Sequence, residues 1–454
     1  MNRQRISKGL RKILATIGLI ALWILFVAAL VLAEAFWFPN PSVTRGETAS
    51  IENHLVQALG KAAENKKLGS ASLVLIEDGK IAARHGFGVA SIETRAPVKT
   101  DRTLYQMASV SKAVTAWGVM KLVEEGRLGL DEPVMRYLKR WRFPGSDAHR
   151  DKVTVRHLLS HTAGLDEGSG FEGFSPGEKP QTLEEALTLT RGSTASAPRP
   201  VTVAGEPGRG MTYGNANYAV LQLLIEEITQ QPFAEYMKAA VLQPLGMTTA
   251  SFDFDALASE GRERDLAPNF DSGLKPQPLR RYTATAAVAL YATAEDMAQF
   301  ALAFTRENPV LKPETLRLMM TPQAGTSGTW GLGQTLYVEN DAGGYVTGHS
   351  GGAYPAWGAM VRVNPATGNG FVLLVSGGSG TLNHLVHDWT YWETGKITAE
   401  GRRQIVYDRM KGLGLIAIIL GAFVIVLWKL LRQMQASETP TERGDRKSGE
   451  EYAN

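Results

Sequence analysis

Segments with the pattern of β-strands lie at both ends of the central part of this chain, and helical patterns lie between them. Residues 72–76 and 81–89 are joined by Asp78-Gly79, a dipeptide typical of a tight hairpin turn. Four more strand patterns follow at residues 331–338, 344–348, 357–363 and 370–376. We therefore predict an α/β (α+β) fold, an antiparallel sheet flanked by helices with a helical subdomain inserted at about residues 110–285.

Apolar residues at helical spacing predict the helices of this fold. We expect helices at residues 49–66, from Ser109 onwards, and at 153–165, 183–190, 217–230, 233–242, 293–304 and 382–391. Thr293 and Asp296 have the spacing of a capping box. Residues 166–210 and 252–281 have no clear periodicity, and we expect mainly loops there.

The composition excludes some chemistries. The chain has 454 residues, of which 44% are hydrophobic and 20% charged, which is typical of a globular protein. It contains no cysteine, so disulfides, thiol catalysis and cysteine-ligated metals are excluded. The net charge of +3 is uninformative, but no dense basic patch lies outside the termini, so we expect no nucleic-acid partner.

The N-terminal region has the pattern of a membrane anchor. Five basic residues in segment 1–12 precede an uncharged run at 13–33, and aromatic residues follow up to residue 38. The run is long enough to span a bilayer, so we predict a cytoplasmic basic segment at 1–12 and a transmembrane anchor at 13–38. A signal peptide cleaved near Ala33-Glu34-Ala35 is the alternative, but the run is longer than the usual apolar region of about 7–15 residues.

A second apolar run, at residues 412–431, is close to the lower length limit for a membrane span. We predict a second transmembrane helix, with a buried core helix as the alternative, and a polar disordered tail at 432–454. Two spans with a cytoplasmic N-terminus place a domain at 42–400 outside the cytoplasm. The expected location is therefore the cell (inner) membrane, with the domain in the periplasm or at the cell exterior.

The first cluster of reactive side chains is Ser109-Val110-Ser111-Lys112. If a helix begins near Ser109, residues i and i+3 share one face, and Lys112 lies within reach of the hydroxyl. A lysine whose pKa is lowered by burial could activate that serine as a nucleophile. By itself the S-x-x-K pattern is common, and a solvated helix start is the alternative.

The second cluster is Tyr213-Gly214-Asn215, which lies directly before a predicted helix. The phenol of Tyr213 could relay protons, and the amide of Asn215 could hold a substrate amide. The alternative is a loop tyrosine followed by an asparagine that caps the helix.

The third cluster is Gly348-His349-Ser350-Gly351-Gly352, which matches the G-x-S-x-G pattern of a nucleophile elbow. An elbow requires a helix after the serine, but residues 353–363 alternate as a strand does. We therefore favour an edge strand whose polar residues line a cleft and whose glycines admit substrate.

The remaining histidine pairs do not suggest a metal site. His157 and His161 are spaced i and i+4, and His384 and His387 are spaced i and i+3. Neither pair has the H-E-x-x-H pattern or a suitably placed carboxylate. We expect these histidines to be structural, and we expect neither a metal nor an organic cofactor.

Together, the three clusters resemble the S-x-x-K, Y-x-N and [KH]-[ST]-G elements of penicillin-recognising serine hydrolases, in the same order. The surrounding sequence, including VTVRHLLSHTAGL and GHSGGAYPAWGAMVRVNPATG, is similar to that of the class C β-lactamase-related branch. That branch includes D-alanyl-D-alanine carboxypeptidases, D-aminopeptidases and esterases. The resemblance covers roughly residues 51–392 and implies a β-lactamase/transpeptidase-like fold.

The resemblance also implies roles for the catalytic residues. Ser109 would be the nucleophile that forms an acyl-enzyme, and Lys112 and Tyr213 would exchange the protons of acylation and deacylation. The substrate would be a small molecule or a peptide, with cell-wall-derived compounds among the candidates.

The same resemblance implies a substrate-binding and oxyanion set. Asn215 would orient the acyl amide, and His349, with Ser350 and Gly351, would line the opposite wall. The backbone N–H groups of Ser109 and Gly352 would form the oxyanion hole.

One position departs from the β-lactamases, which usually carry lysine where this chain has His349. A lysine is charged at neutral pH and attracts a substrate carboxylate, whereas a histidine of ordinary pKa is mostly neutral. We therefore expect a D-amino-acid peptidase, carboxypeptidase or esterase. A true β-lactamase and a non-catalytic cell-wall-binding protein are the alternatives.

Overall fold

Alternating apolar residues at both ends of the domain form strands. The strands are β1 (Ser70–Glu77), β2 (Lys80–Gly88), β3 (Tyr105–Gln106), β4 (Leu165–Asp166), β5 (Thr202–Val203), β6 (Tyr291–Ala292), β7 (Thr335–Glu339), β8 (Tyr345–Ala353), β9 (Trp357–Asn364) and β10 (Asn369–Ser376). Six of them form a sheet in the order β2-β1-β10-β9-β8-β7, with every neighbouring pair antiparallel. The predicted sheet from both ends of the chain is thus confirmed.

Helices cover the sheet and fill the connection between β2 and β7. They are α1 (Thr48–Glu64), α2 (Val110–Glu124), α3 (Val155–Leu159), α4 (Leu183–Thr188), α5 (Asn215–Thr229), α6 (Phe233–Met237), α7 (Phe254–Ser259), α8 (Thr285–Val288), α9 (Ala294–Leu302), α10 (Pro313–Met319) and α11 (Ser379–Thr394). Short turns of 3-10 helix at Val134–Arg136, Arg150–Lys152 and Arg262–Asp265, and a π turn at Lys238–Leu242, complete the helical segments.

These elements come from a computed structural model, which describes part of the chain. It describes residues 23–29, 43, 48–145, 149–167, 171, 173–189, 198–271, 273–353, 357–403, 407, 414, 418, 421 and 425. The chain divides into one unit of Met1–Asn40 with Glu400–Asn454 and a second unit of Pro41–Ala399. In the first unit, residues 23–29 and 401–403 are helical.

The two faces of the sheet bury different helices. Successive residues of a strand point to opposite faces, so Leu73 packs with α1 and α11 while Val74 belongs to the core around α2 and α9. Both side chains are fully buried, and each such burial contributes about 1.5–3 kcal/mol. The sheet is therefore a rigid support with an apolar layer on either side.

Helix α2 lies in the middle of the larger core. Twelve of its fifteen residues are buried, including Trp117, which contacts Phe300 and Phe304. A helix that is apolar on all sides is stable only inside a core. The helix that begins at Ser109 is therefore packed against other parts of the core on all of its faces.

Two local predictions are wrong. The helix predicted at 153–165 is only the five residues of α3, because His161 takes a left-handed φ of 58° just after it. Residues 252–281, expected to be loop, contain α7, whose first turn is capped by Asp253 accepting from Ala256 N at 3.0 Å. That aspartate is a capping signal in a segment too short to show periodicity.

The predicted membrane spans fall mainly on residues that the structure does not describe. Segments 1–12 and 432–454 lie wholly outside the described residues, as do most of 13–38 and 412–431. Among the residues that are described, no helix has the length and apolar character needed to cross a membrane.

Candidate active site

Ser109 is the N-cap of α2 and follows a short turn after β3. Strand β3 pairs with β6, and the turn hydrogen-bonds to the residue just before β6. Met107 N donates to Leu290 O at 2.7 Å, and Leu290 N donates to Ser111 Oγ at 3.0 Å. Ala108 has a left-handed φ of 45°, which is unfavourable for an alanine and is held by these contacts. The turn therefore presents the Ser109 hydroxyl at the N-terminus of a buried helix.

Lys112 lies one turn further along α2 and is fully buried. Its Nζ lies 3.2 Å from Ser109 Oγ, 2.8 Å from Asn215 Oδ1 and 3.1 Å from Ala287 O. Burial lowers the pKa of Lys112 to about 7, against a smaller effect of Glu167, which raises it. In its neutral form the amine can donate its two N–H groups to Asn215 Oδ1 and Ala287 O. Its lone pair is then free to accept the proton of the Ser109 hydroxyl.

Tyr213 comes from the loop before α5 and lies on the other side of the serine. Its hydroxyl hydrogen-bonds with Ser109, and Lys112 Nζ lies 5.0 Å from the centre of its ring. Burial around the hydroxyl raises the pKa of Tyr213 well above 10, and the Ser109 hydrogen bond offsets this only in part. The phenol is therefore protonated at neutral pH and can act as a proton donor.

Asn215 is the first residue of α5, and its side chain contacts Lys112 instead of capping the helix. The N-cap is Gly214, which has no side chain. The alternative of an N-capping asparagine is therefore wrong, and its amide is turned towards the serine and lysine.

Strand β8 forms the opposite wall. A Cβ on Gly351 would lie 2.4 Å from Met107 O and 3.0 Å from Ser109 N, so the strand packs directly on the turn that carries the serine. Strand β7 pairs with β8 only as far as Gly348, and the later residues of β8 pair with β9. The prediction of an edge strand is thus correct only for the second half of β8, which pairs with β9 and not with β7. The strand is also longer than the predicted 344–348, because it extends to Ala353.

The elbow alternative for Ser350 is wrong. Ser350 lies within β8, which is followed by strand β9 and not by a helix. Its Oγ accepts a hydrogen bond from the buried Arg362 at 2.9 Å. Gly352 is exposed beside it, and its part in an oxyanion hole stays a prediction.

His349 is buried and neutral. Burial, with a smaller contribution from the nearby Lys112, lowers its pKa to about 3. Its Nδ1 lies 2.6 Å from Ser350 O. The position that the lysine of β-lactamases occupies therefore has no charge here at neutral pH.

His161 belongs to the site, although it was expected to be structural and no sequence pattern placed it there. Its ring stacks on Tyr213 with the centroids 4.4 Å apart, and Trp330 packs edge-on against His161 at 5.1 Å. Burial is the main reason that its pKa lies well below the usual range. The ring is thus an apolar support for the tyrosine.

Glu167 is the second residue that sequence reasoning missed. Its Oε2 accepts from Ala216 N at 2.7 Å, and the backbone N–H of Asn215 also donates to the carboxylate. Burial raises the pKa of Glu167, and these hydrogen bonds and Lys112 oppose the rise. The one sequence signal for Glu167 is its position at the end of the stretch S-H-T-A-G-L-D-E, which contains several polar residues.

The arrangement supports nucleophilic acyl transfer. Ser109 lies between a base whose pKa is close to neutral and a protonated phenol, at a helix N-terminus that favours developing negative charge. Across the described residues, no group of three or more histidine, aspartate or glutamate side chains is arranged to hold a metal.

Comparisons with known proteins agree with the fold and the chemistry. A family model described as Beta-lactamase matches residues 53–396. Esterase EstB from Burkholderia gladioli is 30% identical over 401 residues, which cover 78% of this chain and 98% of the esterase.

Solved structures share the architecture. The octameric penicillin-binding protein homologue from Pyrococcus abyssi superposes with a TM-score of 0.61 at 25% identity, over 78% of each chain. The D-amino acid amidase from Ochrobactrum anthropi SV3 has a TM-score of 0.57 at 22% identity, over 74% of this chain and 98% of the amidase, a likeness of fold. The predicted β-lactamase/transpeptidase-like fold is confirmed. With a family match over most of its length, the chain belongs to the Beta-lactamase family and is a serine hydrolase.

Proposed function

We propose that this hydrolase cleaves ester or amide bonds through an acyl-enzyme on Ser109. The observation that carries the proposal is Lys112, a buried amine with a pKa of about 7 whose Nζ lies 3.2 Å from the serine oxygen. A general base is most effective when its pKa is close to the working pH.

In acylation, Ser109 Oγ attacks the carbonyl carbon of the substrate while its proton passes to Lys112 Nζ. The tetrahedral intermediate collapses as the bond to the leaving group breaks, and the leaving group takes a proton from the Tyr213 hydroxyl. Lys112 returns a proton to the tyrosine, so the amine is neutral again. In deacylation, a water molecule gives a proton to Lys112 and its oxygen attacks the acyl carbon. The bond from the acyl carbon to Ser109 Oγ then breaks, and Oγ takes the proton back from the Lys112–Tyr213 pair, which releases the acid and restores Ser109.

The preferred substrates are esters, amides and D-amino-acid peptides that have no carboxylate beside the cleaved bond, ahead of β-lactams and of peptides that end in D-Ala. The support is the neutral His349, because a β-lactam and a peptide ending in D-Ala carry a carboxylate that a cation at this position would attract. The similarity to an esterase over 98% of that relative's length agrees with this order of preference.

The test is intact-mass analysis of the purified full-length chain after treatment with a fluorophosphonate. We expect a single adduct that maps to Ser109, is absent in Ser109→Ala and persists in Ser350→Ala. An adduct on Ser350, or none in the wild-type protein, would overturn the proposal. A fluorescent penicillin in parallel separates enzymes that accept β-lactams from esterases, and trapping without product release would favour a cell-wall-binding protein.

We also propose that residues 13–38 anchor the hydrolase in the cell membrane, with residues 42–400 in the periplasm or outside the cell. The support is the basic segment before a long uncharged run. Alkaline carbonate extraction of cell membranes should leave the protein in the pellet, and removal of residues 1–38 should increase the extracted fraction. Complete extraction of the intact chain would contradict the anchor.

A further inference from the structure

Residues 161–167 form a support beneath the tyrosine loop. Thr212 N donates to His161 O at 2.8 Å, and Gly214 N donates to His161 Nδ1 at 3.4 Å. At the other end of the support, Glu167 accepts from the N-terminus of α5. The segment therefore holds the Tyr213 loop at both of its ends.

Glu167 caps α5 in place of the missing N-cap side chain. The N-cap is Gly214, and a Cβ there would lie 2.7 Å from Glu167 Oε2, so the glycine leaves room for the carboxylate. The carboxylate accepts from the backbone N–H groups of Asn215 and Ala216. A negative charge at a helix N-terminus is favourable, so the contact fixes the backbone from which the Asn215 side chain reaches Lys112.

Glu167 is also the negative group that acts on Lys112. The other titratable groups around this amine are the buried His161, His349 and Tyr218 together with Tyr213. Burial keeps the two histidines neutral, and the two tyrosines are neutral at neutral pH because the ordinary pKa of a phenol is about 10. Among the described charged groups, Glu167 supplies the attraction that opposes the loss of a proton from the ammonium, in addition to the hydrogen bonds of Nζ to Asn215 Oδ1 and Ala287 O.

We propose that Glu167 is a positioning residue for the reaction at Ser109: its carboxylate holds Asn215 in place for Lys112, and its charge stabilises the lysine ammonium that forms during acylation. This inference rests on the proposed acyl-enzyme. The carboxylate acts through Asn215, by its hydrogen bonds to the start of α5, and through Lys112, by its charge.

The test compares the pH dependence of kcat/KM in three variants of the full-length chain. Glu167→Gln keeps an acceptor for the helix N–H groups but removes the charge, so the pKa of Lys112 falls and the acid limb moves to lower pH, by about half a unit or more. Glu167→Ala removes the hydrogen-bond acceptor as well as the charge. We expect kcat to fall about 10- to 100-fold in this variant, because Asn215 and Tyr213 lose the contacts that hold them in position. Glu314→Gln, which changes an exposed carboxylate on α10 that pairs with Arg317, should leave the profile unchanged.

The proposal is overturned if the Glu167→Gln profile coincides with that of the wild-type protein, whatever Glu167→Ala does, since the residue would then be a structural cap only. If Glu167→Ala fails to fold, the Glu167→Gln profile still decides. A wild-type protein that forms no adduct at Ser109 with fluorophosphonate would refute the proposed function separately, before any variant is compared.

Discussion

A Cβ placed on Gly351 would lie 3.0 Å from the backbone nitrogen of Ser109, so strand β8 and the nucleophile turn are in direct contact. The same Cβ would lie 2.4 Å from Met107 O, a backbone atom that cannot rotate away. Any side chain at this position must push the strand and the turn apart.

Gly351→Ala should therefore inactivate the enzyme more than it destabilises the fold. We expect the fluorophosphonate labelling rate to fall about 100-fold from a displacement near 1 Å, with a loss of about 1–3 kcal/mol in the free energy of unfolding. Gly60→Ala, where an added Cβ meets nothing within 4 Å, is the control: its labelling rate should equal that of the wild-type protein, and its stability should rise by up to about 1 kcal/mol because Gly60 lies inside α1. Equal labelling of the two variants would contradict the expected clash.

The activity should rise with pH through the pKa of Lys112, which is about 7. The amine accepts the serine proton only in its neutral form, which predominates above that pKa and is lost below it. The measurement is kcat/KM for a neutral ester between about pH 5 and pH 9. An acid limb centred near the ordinary pKa of a carboxyl would identify a different base.

Lys112→Met should abolish turnover, and its effect on stability should depend on pH. The pKa of Lys112 is about 7 in the folded protein against 10.5 for the ordinary side chain, so the unfolded chain binds more protons between these values. The buried lysine therefore costs most stability below about pH 7, and this cost fades as the pH rises towards 10.5. Chemical denaturation should show the stability of Lys112→Met relative to wild type falling steadily across that window. A difference that is constant with pH would mean that the lysine is charged throughout.

Tyr213→Phe removes the hydroxyl and keeps the ring on His161. We expect kcat to fall about 100- to 10,000-fold with little change in KM, because the lost group transfers protons and does not fix the loop. Thermal denaturation should be close to that of the wild-type protein. A large loss of thermal stability would show that the hydroxyl has a structural part.

His349→Lys should change substrate preference. The histidine is neutral, with a pKa of about 3, whereas a lysine would add a cation opposite Ser109. The quantity to measure is the ratio of kcat/KM for a substrate with a free carboxylate to kcat/KM for its methyl ester. We expect this ratio to rise about 10-fold or more, because one hydrogen bond to a charged group contributes about that much. His349→Gln is the neutral control, and an equal rise in that variant would refute the role of charge.

The parts of the fold and site that were predicted best depend on interactions between residues close together in the sequence. The hairpin of β1 and β2 follows from Asp78-Gly79, and the start of α9 follows from Thr293 and Asp296, whose capping box is present in the structure. The S-x-x-K spacing also depends on one helical turn, so the proximity of Lys112 to the serine could be predicted.

The missed parts depend on long-range packing. His161 and Glu167 reach the tyrosine loop only because a segment some fifty residues earlier in the chain lies beside it. Strand β8 continues past Gly348 to Ala353 because it pairs with β9, although its glycines have weak strand propensity. Neither effect leaves a periodic pattern in the sequence.

The sheet order has a consequence for how this hydrolase is made. Strand β1 pairs with β10, so that Ser70 lies opposite Ser376, and this pair joins segments from far-separated parts of the chain. Contacts of this kind slow folding, because a long loop must close before they contribute. During synthesis, Ser109 leaves the ribosome long before β8, β9 and β10. The nucleophile therefore lacks its opposite wall until the domain is almost fully translated, so the complete site forms only in the finished domain.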